Sequence, residues 1–405
     1  MVGRFGQITL TSPAGRTHHC AKVIFCSSMS RDEAIELVRQ LEEAVNAHDT
    51  ARLLEFYAEG AVMASPVFSA ISGLEAIRKT WDTVFALFPD WSAKVSEVLV
   101  DGDRIAFLGT AAATDRNGWF GEPPTGERIE YRAAIVLTIS GGKIVRDERI
   151  YDLTGVLQRL EKARTDKELR TAAEVQRALL SRTAHVYAYC EAVGDSIPSR
   201  AIGGDFFEFI TLPSGNFGVV LGDVGGKGPA SAIVAAMIQG MLAMEVQTES
   251  SPSETLARLN HALVTRELAP RFATLVYGVL SPDGQFVYSN AGHNAPILVT
   301  SDGILRLTTG GSILGAFKEA KFDQETIHLP PGATLILFSD GVPEARNSHG
   351  REFGENRLLS FVSSVAANAV SDVLRSILAR VQDFSQGTPQ NDDITLAVVR
   401  YRGRN

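Results

Sequence analysis

The sequence predicts an α+β protein of two folded domains joined by a long helix. Three observations carry this. From Arg31 to Tyr151, helical periodicity gives way to strands of alternating apolar and polar residues. From Leu153 to Leu180 the chain is highly charged, with few breakers after Gly155. Beyond that helix, short acidic stations sit beside apolar, β-branched runs. A chain of 405 residues is long enough for roughly two or three separate cores.

Residues 1–30 show no periodicity and read as disordered, with Met29 a candidate start. His18-His19-Cys20 with Cys26 could be a fragment of a zinc site, but its spacing fits no standard ligand set. Cys20, Cys26 and Cys190 cannot all pair, which suggests a reducing compartment, the cytoplasm. The first domain spans residues 31–152. Arg31 to His48 forms an amphipathic helix with Ala34, Ile35, Val38, Leu41 and Val45 on its apolar face. A second helix opens at Asp49 or Thr50 and runs through Tyr57; a third covers Leu74 to Leu87. Strands follow at Ser92–Val100, Arg104–Ala113, Arg128–Ile139 and Lys143–Tyr151, with Asp101-Gly102 and Gly141-Gly142 as hairpin turns. Helices followed by a curved antiparallel sheet make an α+β cone.

Residues 153–181 form the linker helix. Leu153, Leu157, Leu160, Leu169, Ala172, Val175 and Leu179 give it a broken apolar stripe. Two such helices can pair across a homodimer as a short coiled coil, or one can stand alone as a solvated linker.

The stations of the second domain, residues 182–403, are Gly203-Gly204-Asp205, Gly222 to Gly228 around Asp223, Phe338-Ser339-Asp340-Gly341-Val342 and Asn391 to Thr395. They adjoin apolar runs at Phe217–Leu221, Ala333–Phe338 and Ile394–Tyr401. Any one alone reads as an Asp-Gly turn. Together they place carboxylates beside glycines at one sheet rim, where they would repel one another unless divalent cations neutralised them. With no His or Cys nearby, Mg²⁺ or Mn²⁺ suits the set. The Gly222–Gly228 run lacks the G-x-x-x-x-G-K-[ST] pattern of a nucleotide P-loop: Gly228, then Pro229, follows Lys227, where Ser or Thr belongs.

Ile202-Gly203-Gly204-Asp205-Phe206-Phe207-Glu208, the Gly222–Ala230 segment, Asn290-Ala291-Gly292-His293-Asn294-Ala295-Pro296, the Asp340 station and Asp392-Asp393-Ile394-Thr395 together resemble the metal-dependent type-2C (PPM) serine/threonine phosphatases. The likeness is to their bacterial SpoIIE-like, RsbU-like branch. It implies a four-layer α/β/β/α sandwich holding two ions. Asp223 would bridge them, with the Val224 carbonyl on one ion, Asp340 and Asp392 on the other, and Asp205 completing the shell. Asp223 and Asp340 would then act in catalysis through a metal-bound water. Paired ions can activate water and stabilise both ends of an in-line displacement. Arg200 stands where the family can place a phosphate-gripping arginine, or is a solvated loop charge. Val224-Gly225 lacks the histidine that eukaryotic members carry after the bridging Asp, leaving the general acid unassigned. Glu208 replaces a common Asp, and His293 reads as part of a structural turn rather than as an acid.

Asn46-Ala47-His48-Asp49, Phe88-Pro89-Asp90-Trp91, Pro123 to Arg128 and Gly142 to Arg146 resemble the SnoaL-like division of the nuclear-transport-factor-2-like fold. That likeness implies an apolar pocket in the cone. Trp81, Phe85, Tyr131 and Tyr151 are candidate liners or plain core. Asp152 is the positional candidate for the acid that family cyclases use there, or a cap for the following helix, the preferred reading. A small-molecule ligand sensed by the cone, and passed on by the linker helix, would regulate the phosphatase.

The net charge of −8 argues against nucleic acid as a partner. No apolar run reads as membrane-spanning and no signal peptide is evident, so no membrane partner is expected. Three functions follow: a regulated phosphatase whose partner is a phosphorylated anti-sigma-factor antagonist, as the resemblance implies; a non-catalytic scaffold; or a cyclase or isomerase centred on Asp152.

Overall fold

The computed structural model describes residues 29–179, 184–266 and 272–404. The stretch expected to be disordered, with the suggested zinc fragment, Cys20 and Cys26, lies outside the described residues apart from Met29 and Ser30. The chain divides between Thr165 and Asp166 into two compact units.

In the first unit, α1 (Arg31–Asn46) starts at a capping box: the Ser30 side chain accepts from Glu33 N, while Glu33 accepts from Ser30 N. Its buried face is Ala34, Val38, Leu41, Ala44 and Val45. The second helix, α2 (Thr50–Leu54), is shorter than expected: Tyr57 opens a strand, β1 (Tyr57–Ser65). Gly60 and the polar Glu59 break the alternation that would have revealed this strand. After β2 (Phe68–Ser72) and α3 (Leu74–Leu87) come β3 (Ser92–Asp101), β4 (Arg104–Thr114), β5 (Arg128–Ser140) and β6 (Lys143–Tyr151). The sheet order is β2-β1-β6-β5-β4-β3, with only the β1–β6 pair parallel. Its core joins Val38 and Leu41 of α1 to Ile77 and Trp81 of α3 and to Met63, Leu137 and Ile144 of the sheet.

The linker α4 (Leu153–Leu179) does not carry one stripe. Val156 and Leu160 bury against Phe88, Ala113 and Ile129 of the first unit. Leu169 and Ala173 pack with Ile202 and Ala232 of the second. Leu157, Val175 and Leu179 are exposed.

Among the described residues, the second unit contains two sheets. One has the order β15-β12-β11-β10-β9, with β16 on β12: β9 (Phe206–Thr211), β10 (Phe217–Val224), β11 (Ala273–Leu280), β12 (Gln285–Ala291), β15 (Gly310–Gly311) and β16 (Glu325–His328). The other runs β14-β13-β17-β18-β8-β7: β7 (Ala184–Val186), β8 (Cys190–Ile197), β13 (Ile297–Thr300), β14 (Gly303–Arg306), β17 (Thr334–Phe338) and β18 (Ile394–Tyr401). The helices are α5 (Pro229–Glu245), α6 (Pro252–Thr265), α7 (Glu355–Val365) and α8 (Val370–Phe384).

Strand alternation sorts the apolar residues into layers. Phe217, Val219 and Leu221 of β10 meet Leu335, Leu337, Ala397 and Val399 between the sheets. Val220 and Val224 instead face Val234, Ile238 and Leu242 of α5 and Leu256 and Leu259 of α6. Ile336, Phe338, Leu396 and Val398 face α7 and α8. The result is an α/β/β/α sandwich. One expectation needs correcting: Pro229–Thr248, mean hydropathy 1.5, is long and apolar enough to cross a membrane. Here that segment, mainly α5, covers the sheet, which is why its sequence is so apolar.

Candidate metal centre

Each sheet of the second unit delivers two of the predicted carboxylates. Asp205 immediately precedes β9 and Asp223 is the penultimate residue of β10. Asp340 lies two residues beyond β17, and Asp392 two residues before β18. Glycine makes the approach possible: a Cβ on Gly204 would stand 2.6 Å from the Val224 carbonyl oxygen.

Asp205 is only 5% exposed, and its Oδ2 has no hydrogen-bond partner. Burial, then the Asp223 charge, pushes its carboxyl well above the ordinary range, against the Ser339 and Thr395 hydroxyls beside it. Burial and then the Asp340 charge push Asp223 up to about 6. Asp340 rises to about 6 through burial and then the charge of Asp392. Carboxylates from both sheets therefore repel one another across a shared space. Added positive charge is what would let them ionise together at neutral pH.

One cation is already there. Lys227 Nζ lies 2.9 Å from Asp392 Oδ2 and also donates to the Asn391 carbonyl. Among the described residues, no three His, Cys, Asp or Glu side chains gather at metal-ligand spacing. The chemistry of the set nevertheless fits a hard divalent ion: oxygen donors, mutual repulsion and one orphaned, buried carboxylate oxygen. Asp205, Asp223, Asp340, Asp392 and the Val224 carbonyl are the groups that would hold it.

Asp393 escaped the sequence reading. Its Oδ1 accepts from Ser199 N at 2.7 Å and Ser199 Oγ at 2.9 Å, and its Oδ2 from Gly204 N at 2.9 Å. It ties the loop before Asp205 to the start of β18. A Cβ on Gly203 would fall 2.0 Å from Asp393 Oδ2, so the station needs glycine there. Its signal was the second Asp of an Asp-Asp pair, whose side chain must point away from its neighbour's. Arg200 is exposed on that loop, its Nη1 4.0 Å from where a Gly228 Cβ would stand. Glu208 lies apart, accepting from Gln239 Nε2 at 3.0 Å, and burial pushes it up to about 7.

His293 belongs to a turn. Asn290 bridges it, donating to the His293 carbonyl at 3.0 Å and accepting from His293 N at 2.7 Å. Its Nδ1 lies 2.7 Å from Thr274 Oγ1, and burial pushes the imidazole down to about 4, so it stays neutral.

The first unit holds a separate cavity of about 500 Å³ lined by Trp81, Tyr131 and Tyr151 among others. Phe85 does not line it; it stacks between His48, at 4.4 Å, and Trp81, at 5.2 Å. Asp152 is also outside it. The Asp152 side chain accepts from Gly155 N at 2.9 Å and caps α4, a better use for a carboxylate at a helix start. The polar groups in the wall include Tyr57, Asp147 and Arg149, together with Glu42, Ser65, Lys79, Thr80 and Thr83. Period-2 alternation from Tyr151 would have placed Arg149 and Asp147 on its face.

Residues 213–402 match the family model for stage II sporulation protein E (SpoIIE), and residues 38–147 that for the SnoaL-like domain. Residues 213–402 are thus a SpoIIE-like phosphatase region and residues 38–147 a SnoaL-like domain. It is similar to the phosphoserine phosphatase RsbU of Bacillus subtilis (strain 168), 28% identical over 62% of this chain and 73% of that protein. The phosphoserine phosphatase RsbP of the same organism is 22% identical, over 59% of each. Protein IcfG of Synechocystis is 28% identical over 51% of this chain but only 37% of its own length. The SiaA-PP2C domain of Pseudomonas aeruginosa shares the SpoIIE-type fold, with a TM-score of 0.52 at 18% identity, over 60% of this chain and 98% of that one. This phosphatase family is metal-dependent.

Proposed function

We propose that the SpoIIE-type unit hydrolyses phosphoserine or phosphothreonine on a protein, with two Mn²⁺ or Mg²⁺ ions as cofactor. The observation that carries this is the unpartnered, buried Asp205 Oδ2 beside carboxylates drawn from two sheets. Asp205, Asp223, the Val224 carbonyl, Asp340 and Asp392 would hold the ions. When bound, the ions supply an activated water and charge neutralisation for in-line displacement. Arg200 is exposed near Gly228 and suits the substrate phosphate.

The names of RsbU and RsbP as phosphoserine phosphatases support a phosphorylated protein substrate. The proposed partner is an anti-sigma-factor antagonist of a bacterial partner-switching pathway, acted on in the cytoplasm. The SnoaL-like unit would regulate this activity by binding a small molecule, with the chain a homodimer through the exposed Val175 and Leu179 of α4. Val175→Glu should then yield monomers by light scattering; an unchanged mass would remove α4 from the interface.

The deciding experiment is Mn²⁺-dependent phosphate release from a phosphoserine protein by the wild type and by Asp340→Asn. Release that needs the metal and vanishes in the variant is expected. A folded wild type that binds Mn²⁺ but is inert on several phosphoproteins would overturn the reading.

A further inference from the structure

We propose that Phe272 is a substrate-contact residue of the phosphatase unit. It takes an apolar side chain that stands two positions from the phosphoserine in an extended segment of the phosphoprotein. This rests on the phosphatase reading and names the kind of sequence that the centre accepts.

The register of β10 and β11 puts Phe272 on the same side of its sheet as Asp223. Leu221 and Val276 are cross-strand partners, and both pack between the sheets. The next pair on that face is Asp223 with Thr274. The one after it is Gly225 with Phe272, joined by Gly225 N donating to the Phe272 carbonyl at 3.1 Å. Val224 and Ala273, which lie between, point the other way into the core under α5. Phe272 is thus the diagonal neighbour of Asp223, a relation that spans about 7–8 Å.

The ring is held and yet left uncovered. A Cβ on Gly225 would stand 2.2 Å from Phe272 Cε2, so the ring lies against bare backbone and glycine is needed there. Among the described residues, Phe272 joins none of the buried apolar clusters of this unit, and it is 47% exposed. An aromatic ring fixed in advance costs little further ordering when a partner packs on it. The turn from Gly225 to Gly228 separates this ring from the cations. Lys227 Nζ lies 2.9 Å from Asp392 Oδ2, and Arg200 Nη1 is 4.0 Å from where a Gly228 Cβ would stand. Phosphate belongs at that charged end.

Substrate geometry then selects the position. In an extended chain, side chains two residues apart leave the same face about 6.6 Å apart. A phosphoserine aimed at Asp223 therefore sends the second residue on one side of it towards Phe272, while its immediate neighbours point away. Packing on the ring favours an aliphatic side chain there and disfavours a charged one.

The test measures Mn²⁺-dependent phosphate release by the full chain from a phosphoserine peptide with Leu at both second positions. The comparison peptides carry Ala there, or have the two Leu moved to the immediate neighbours. Initial rates well below KM give ratios of kcat/KM. The first peptide should exceed the others about fivefold, which corresponds to about 1 kcal/mol. Phe272→Ala should bring both ratios close to one. Phe272→Glu should instead favour Lys at the second positions, a new preference that a merely structural role would not create. Each ratio compares two peptides on one protein, so any change in metal binding cancels from it. Equal rates for the Leu and Ala peptides, a preference that survives Phe272→Ala, or two variants inert on every peptide would overturn the proposal. Release from phosphoproteins but from no peptide would overturn it alone; a wild type inert on both would take the phosphatase reading with it.

Discussion

Replacing Lys227 by methionine should tighten Mn²⁺ binding. Lys227 Nζ holds Asp392 Oδ2 at 2.9 Å, so an ion seeking that oxygen must first displace an ammonium group. The pair is partly screened, with 39% and 37% of the two side chains exposed. An exposed pair of this kind contributes about 0.2–1 kcal/mol. Removing the competitor should therefore lower the dissociation constant about 1.4- to 5-fold. Isothermal titration calorimetry of wild type and Lys227→Met in low salt reads this directly. Repeating it near 1 M salt, where the screening length falls to about 3 Å, should narrow the gap. Equal or weaker Mn²⁺ binding by the variant at low salt would refute the reasoning, because Asp392 could not then be an oxygen for which lysine and ion compete.

The loop before Asp205 offers a second test: Gly203→Ala would place a Cβ 2.0 Å from Asp393 Oδ2. Breaking that carboxylate's hydrogen bonds should cost about 1–3 kcal/mol and weaken Mn²⁺ binding together; an unchanged calorimetric midpoint would contradict the clamp. Burial raises Glu208 from the ordinary 4.5 to about 7, so the folded state favours its protonated form. Its stabilising contribution is complete below pH 4.5 and is lost as pH rises through 7. Glu208→Gln should flatten that loss and exceed the wild type by about 1–3 kcal/mol at pH 8 in denaturant titrations; a less stable variant at pH 8 would reverse the sign.

Much of the fold was legible because strand alternation and helix caps act locally. The β3–β6 strands and both Asp-Gly and Gly-Gly hairpins stand where their patterns place them. Tyr57 and β1 were hidden because Gly60 interrupts the alternation and because β1 is completed by a distant partner, β6. The acidic stations were legible as strand-end carboxylates. The clamp made by Asp393 was not, since its partners Ser199 and Gly204 lie far away in sequence. Asp147 and Arg149 were passed over for a similar reason. A charged pair on a strand usually reads as a solvent-facing rim, and only closure of the cone turns it inward. The α4 stripe misled for the opposite reason, as its residues serve separate local cores.

The position of β18 has a consequence for how the enzyme is made. It is the last strand of the second unit in chain order, yet it is inserted between β17 and β8 and brings Asp392 and Asp393 with it. During synthesis, Asp205 and Asp223 leave the ribosome long before their counterparts. Until β18 arrives, β8 and β17 present bare edges open to wrong pairing. On the proposed reading of the centre, a nascent chain without β18 would lack Asp392 and the Asp393 clamp, and hydrolysis would begin only once this strand has been delivered.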